Sequence, residues 1–172
     1  PVTVQTAQRC SATSAVSQIR VWLHDRGNTT FGSGSMMFLG LTGPGTTDRK
    51  PDIGGSTTLN QALLVYQTDI TTTQANTSQT ELHGVLVDAN SKSFGSPFAV
   101  GSGSSLLYDR ENAAVTQVSD QPSVDWIVVW QESALFALTG IVAQRISASA
   151  SSLPPPSQTG SSSFAATALC SA

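Results

Sequence analysis

Charge is scarce in this chain. Only 11% of its 172 residues are Asp, Glu, Lys or Arg, and the formal net charge is −3. The eight basic residues (Arg9, Arg20, Arg26, Arg49, Lys50, Lys92, Arg110, Arg145) are scattered. A phosphate backbone needs a clustered basic surface, and anionic lipid needs a polybasic patch. Neither nucleic acid nor a charged membrane surface is an expected partner. No run approaches the roughly 18 continuous apolar residues of a membrane-spanning helix, so membrane insertion is not expected either. No stretch of about ten residues carries the 3.6-residue apolar spacing of a helix.

Chemistry-bearing residues are equally sparse. There are two histidines, His24 beside Asp25 and His83 within an apolar run. The sequence has no Gly-x-Ser-x-Gly elbow, no phosphate-binding Gly-rich loop with Lys, and no His-Glu-x-x-His. Glu81, Glu111 and Glu132 are the carboxylates available for glycoside hydrolysis, but their spacing favours no pairing. The expectation is a protein that is not an enzyme, with no catalytic residue to assign. The two cysteines, Cys10 and Cys170, are far apart and make a poor metal signature. In an oxidising compartment they suit a disulfide that ties the two ends of the chain, stabilising by at most roughly 5 kcal/mol. No cofactor or metal site is expected. Calcium is the alternative, because Asp25 with Asn28, Asp48 with Asp52, and Asp109 with Glu111 put oxygen ligands in turns.

Ser and Thr are abundant, at 25 and 20 residues, and with Val, Ile, Gly and Pro they favour strands and turns. The segment Trp126-Ile127-Val128-Val129-Trp130-Gln131 has weaker copies at Leu63-Leu64-Val65-Tyr66-Gln67 and Ile19-Arg20-Val21-Trp22-Leu23. Charged lead-ins precede two of them, Asp48-Arg49-Lys50 and Asp109-Arg110-Glu111. Second apolar runs follow, Leu82 to Ala89 and Ile141 to Ala148. Corresponding positions lie 59 to 64 residues apart, which predicts a unit of about 60 residues. Alternation puts Trp126, Val128 and Trp130 on one strand face, with Ile127 and Val129 on the other. Both faces are apolar, which predicts burial on both sides. Trp22, Tyr66, Trp126 and Trp130 are the expected core aromatics.

Four strands fit each unit. In one they run near 52–55, 62–68, 81–88 and 97–101, and in the next near 113–118, 125–131, 139–147 and 164–169. Val128-Val129-Trp130-Gln131 and Ala143-Gln144-Arg145-Ile146-Ser147-Ala148 resemble the Val-Val-Trp-Gln and Gly-Gln-Arg-Val repeats of large secreted bacterial proteins predicted to form β-propeller-like arrays. The resemblance covers roughly residues 48–150 and implies an all-β fold of propeller-like blades. It implies no catalytic residues. An antiparallel β-sandwich is the alternative, since a propeller needs about four to eight blades.

The expected organisation is N-terminal strands and a degenerate first unit over 1–47, then units at 48–108 and 109–150. A Ser/Pro-rich linker over 151–163 and a C-terminal strand over 164–172 complete it. The chain begins at Pro1 without Met, as expected of a processed chain or a piece of a longer one. Two glycosylation sequons, at Asn28 and Asn76, fall in polar connections. The functional expectation is an extracellular or cell-surface structural or interaction protein, a subunit or scaffold of a larger assembly. Its partners would be other protein subunits or copies of itself. The alternative is a carbohydrate-binding module using Phe31, Phe94 or Tyr108 as stacking rings.

Overall fold

A computed structural model of the chain describes residues 2–3, 19–23, 35–39, 46–56, 60–72, 77–101, 108–119, 124–134, 140–148 and 157–164. Every regular element among them is a strand. Residues β1 (Val2–Thr3), β2 (Ile19–Leu23) and β3 (Ser35–Leu39) form a first antiparallel sheet in that order. The second contains β4 (Thr46–Gly55), β5 (Gln61–Thr72) and β6 (Thr77–Asp88), with β7 (Ser93–Phe94) and β8 (Phe98–Val100) both paired to β6. Pro97 lacks the N–H that would continue the ladder, and it lies in the break between those two short pieces. The third sheet runs β9 (Tyr108–Ser119), β10 (Val124–Ala134), β11 (Gly140–Ala148) and β12 (Ser157–Phe164). The all-β class and antiparallel pairing expected from the sequence are what the structure has.

The sheets pack face to face through two apolar clusters. Ile19 and Val21 of β2 pack with Ala62, Leu64, Tyr66, Val85 and Val87 of the second sheet. The opposite face of that sheet offers Leu63, Val65, Leu82, Leu86 and Val100 to Trp126, Val128, Trp130, Val142 and Ile146. The second sheet is therefore the middle layer, and β5 is buried from Gln61 to Thr68 without a break. That uninterrupted burial is what an apolar run with no polar alternation needs. Gly84 is required where β6 meets β8, because a Cβ there would lie 2.5 Å from the Phe98 ring.

Two expectations need correction. Two-sided burial was expected for β10, but Trp126, Val128 and Trp130 are buried while Ile127 and Val129 are only half-buried. The reason is position: among the described residues β10 belongs to an outer layer, and the full two-sided burial falls on β5. Much of the expected linker is also ordered differently, because Ser157–Phe164 is a strand paired with β11. Its Ser-rich composition hides this, since a ladder is built from backbone groups and β11 supplies the template. Pro154, Pro155 and Pro156 lie outside the described residues, as does the strand expected beyond Phe164. Cys10 and Cys170 lie outside them as well.

Candidate interaction surface

The geometry of the second and third sheets can be compared residue by residue. In β4 the register steps from Arg49–Gln67 to Asp52–Val65, so Lys50 and Pro51 oppose Tyr66 alone. In β9 it steps from Glu111–Gln131 to Ala114–Val129, so Asn112 and Ala113 oppose Trp130 alone. Each is a β-bulge facing the strand's aromatic, and each has a left-handed residue, Lys50 (φ 45°) and Asn112 (φ 54°). The two bulges touch through Lys50 Nζ, which donates to Asn112 Oδ1 at 2.8 Å.

A polar cross-strand pair sits beside each aromatic. Thr68 Oγ1 donates to Asp48 Oδ1 at 2.8 Å, and these two residues are register partners. Arg110 and Glu132 hold the same places in the third sheet, with Arg110 Nε donating to Glu132 Oε2 at 2.9 Å. Trp130 Nε1 donates to that same carboxylate oxygen at 3.4 Å. Tyr66 differs, because its buried hydroxyl has no hydrogen-bond partner among the described residues. Burial, and secondarily the Asp48 charge, push its phenol well above the ordinary tyrosine range.

That orphan hydroxyl gives a direct prediction. Tyr66→Phe is expected to raise stability by about 0.5–2 kcal/mol, because an unsatisfied buried hydroxyl is removed at little change in shape. The neutral phenol contributes stability below the unfolded tyrosine pKa of about 10, and this is lost as pH rises above it. Urea titrations at neutral and alkaline pH should therefore show the Phe variant's advantage growing with pH. An advantage that shrinks on going alkaline would contradict the assignment.

Between the two sheets, side chains of the middle layer satisfy backbone groups of β9. Val115 N–H donates to Asp52 Oδ2 at 2.8 Å, and Asn112 N–H donates to Gln67 Oε1 at 3.2 Å. In return Thr80 N–H donates to Asp109 Oδ1 at 3.0 Å, and Trp126 Nε1 donates to the Gly54 carbonyl at 2.9 Å. Gly101 N–H donates to Gln144 Oε1 at 2.9 Å. Among the described strands β9 is an edge, and the bonds from Val115 N–H and Asn112 N–H occupy donors that would otherwise pair elsewhere. Arg49 adds ion pairs to Asp69 (2.8 Å) and across to Glu111 (3.7 Å).

The candidate chemistry is dispersed into these structural contacts. Asp48 is buried against Thr68, while Asp52, Asp109 and Glu111 serve the contacts just described. Among the described residues no group of three or more His, Cys, Asp or Glu is arranged to hold a metal ion. Asp25, Asn28, His24, Phe31 and Asn76 lie outside the described residues. His83 stacks on Tyr66 with ring centroids 5.7 Å apart, and its Nε2 lies 3.4 Å from Glu81. Glu132 is committed to Arg110.

Tyr66, Trp126 and Trp130 are buried at 0%, 0% and 1% exposure. Trp22 is in β2, where its backbone pairs with Thr3 and Met36. Phe94 is half-buried, pairs with Val87 and packs against the cluster formed with β2, and Tyr108 pairs with Ala134 through the backbone. The inter-sheet carboxylates and amides (Asp52, Gln67, Gln144) were not singled out from sequence as contacts between sheets. Their signal was faint, a polar residue inside or beside an otherwise apolar strand. No protein-family model matches the chain, and no curated protein or solved structure is significantly similar to it.

Proposed function

We propose that this protein is a non-enzymatic, extracellular or cell-surface structural protein, a scaffold or subunit of a larger assembly. Its antiparallel sheets stack as propeller-like blades. The observation that carries this reading is the equivalence of the second and third sheets. Bulge, left-handed residue, polar pair and aromatic recur at matching places, and the chain's polar side chains are spent on joining one sheet to the next. A sandwich of two unlike sheets does not require such equivalence. Burial of Tyr66, Trp126 and Trp130 supports a scaffold over a carbohydrate-binding module, which needs an exposed ring beside polar groups. The low charge and high Ser and Thr content suit an extracellular setting.

The test is the mass of the native particle that contains the chain, isolated from its source. It should greatly exceed 17.8 kDa, the mass of one chain. Recovery as a single free chain would sink the proposal.

A further inference from the structure

We infer that the outer face of the third sheet docks the first sheet of a second copy of this chain, head to tail. The inference rests on the scaffold reading above and names its partner. Three pairs of residues hold the same place, three and one positions before Trp22, Tyr66 and Trp130. They are Ile19 with Val21, Leu63 with Val65, and Ile127 with Val129. The first two pairs are at most 1% exposed. Ile19 and Val21 pack against the face carrying Leu64 and Tyr66 of the next sheet, and Leu63 and Val65 pack against the face carrying Val128 and Trp130. Each pair thus meets the aromatic face of the sheet that follows.

The third pair breaks the rule. Ile127 and Val129 are only half-buried, and among the described residues no strand covers them. The surrounding face has the same character. In the middle sheet Val65 pairs with Gly84, and in the third sheet Val129 pairs with Ala143. By this register Ile141 stands where Leu82 does, yet Leu82 is fully buried and Ile141 is 39% exposed. Val118, at 52% exposure, extends the apolar surface at the β9 margin. Arg145, which pairs with Asp125, is the charged residue of this face on β11. The face has the composition of a buried layer without its cover.

What fits such a face is fixed by its two covered equivalents, each of which meets the aromatic side of a following sheet. Among the described residues one further sheet has that sequence position, the first, where Trp22 stands in the place of Tyr66 and Trp130. A second copy supplies it. The contact is heterologous, so it does not saturate at two chains but closes as a ring or grows.

The test is the mass of the purified full chain by light scattering and sedimentation over a wide concentration range. Mass should rise with concentration past twice 17.8 kDa. Val129→Lys puts an unpaired charge on the face and should weaken association at least about tenfold, with the unfolding midpoint little changed. Thr116→Arg, at an exposed position of the same face, should act alike and serves if the Lys variant folds poorly. Three results would overturn the inference: a single-chain mass at every concentration, growth that stops at two chains, or association indifferent to both variants. A large native particle combined with a monomeric purified chain would leave the scaffold reading standing and remove this one.

Discussion

Replacing Trp126 with Ala is expected to cost about 4–5 kcal/mol, among the largest single losses available in this fold. Trp126 is fully buried, and its ring fills the layer between the middle and third sheets. A Cβ built on Gly54 would lie 3.1 Å from the Trp126 ring and 3.2 Å from Val115, so the sheets are already in close contact there. Little room exists for neighbours to collapse into the space the ring vacates, and the cavity cost adds to the transfer cost. The lost Nε1 bond to the Gly54 carbonyl adds about 1 kcal/mol. Trp126→Phe separates the two contributions, since it keeps most of the apolar volume and loses only the donor. It should cost roughly 1–3 kcal/mol. Domains are typically stable by about 5–15 kcal/mol, so the Ala variant should lose a large part of the whole. Urea unfolding measures both; an Ala variant losing under about 1 kcal/mol would mean that the two sheets do not pack through this ring.

How much of this was legible beforehand depended on the range of the interaction. Strands β5, β6, β10 and β11 were placed within a few residues, because alternation and β-branched content are local. Extension of β5 to Thr72 and of β6 back to Thr77 was missed, since Thr, Gln and Ser there carry no apolar signal. β12 was missed for the same reason. The two-sided burial assigned to β10 belongs to β5: both runs are apolar, and only the order of layers decides which one is enclosed. The bulges were invisible, because Lys50 and Asn112 are unlike residues in like backbone positions. Buried polar groups were least legible of all. Asp48, Gln67, Arg110 and Gln144 have partners 20 to 45 residues distant, which no local pattern encodes.

The Arg110–Glu132 pair shows what such a contact is worth. Glu132→Ala is expected to cost about 2–4 kcal/mol, because it takes the carboxylate from the Nε of an Arg whose side chain is only 7% exposed. The same oxygen also receives Trp130 Nε1, so a second buried donor is released. Arg110 has little freedom to seek water, since its guanidinium lies against Gly101, where a Cβ would approach it to 3.1 Å. Gly101 holds φ +93°, a conformation that side chains resist, so this close approach is built into the backbone. The equivalent place in the middle sheet is filled by Asp48 and Thr68, a carboxylate and a hydroxyl where the third sheet has a guanidinium and a carboxylate. The position therefore demands a satisfied polar pair and not a particular ion pair. It follows that replacing both residues together, Arg110→Met with Glu132→Leu, should recover most of the loss from Glu132→Ala. A double-mutant cycle by urea unfolding gives the coupling directly. Near-additive losses would show that Arg110 is held by its packing on Gly101 and that the carboxylate contributes little.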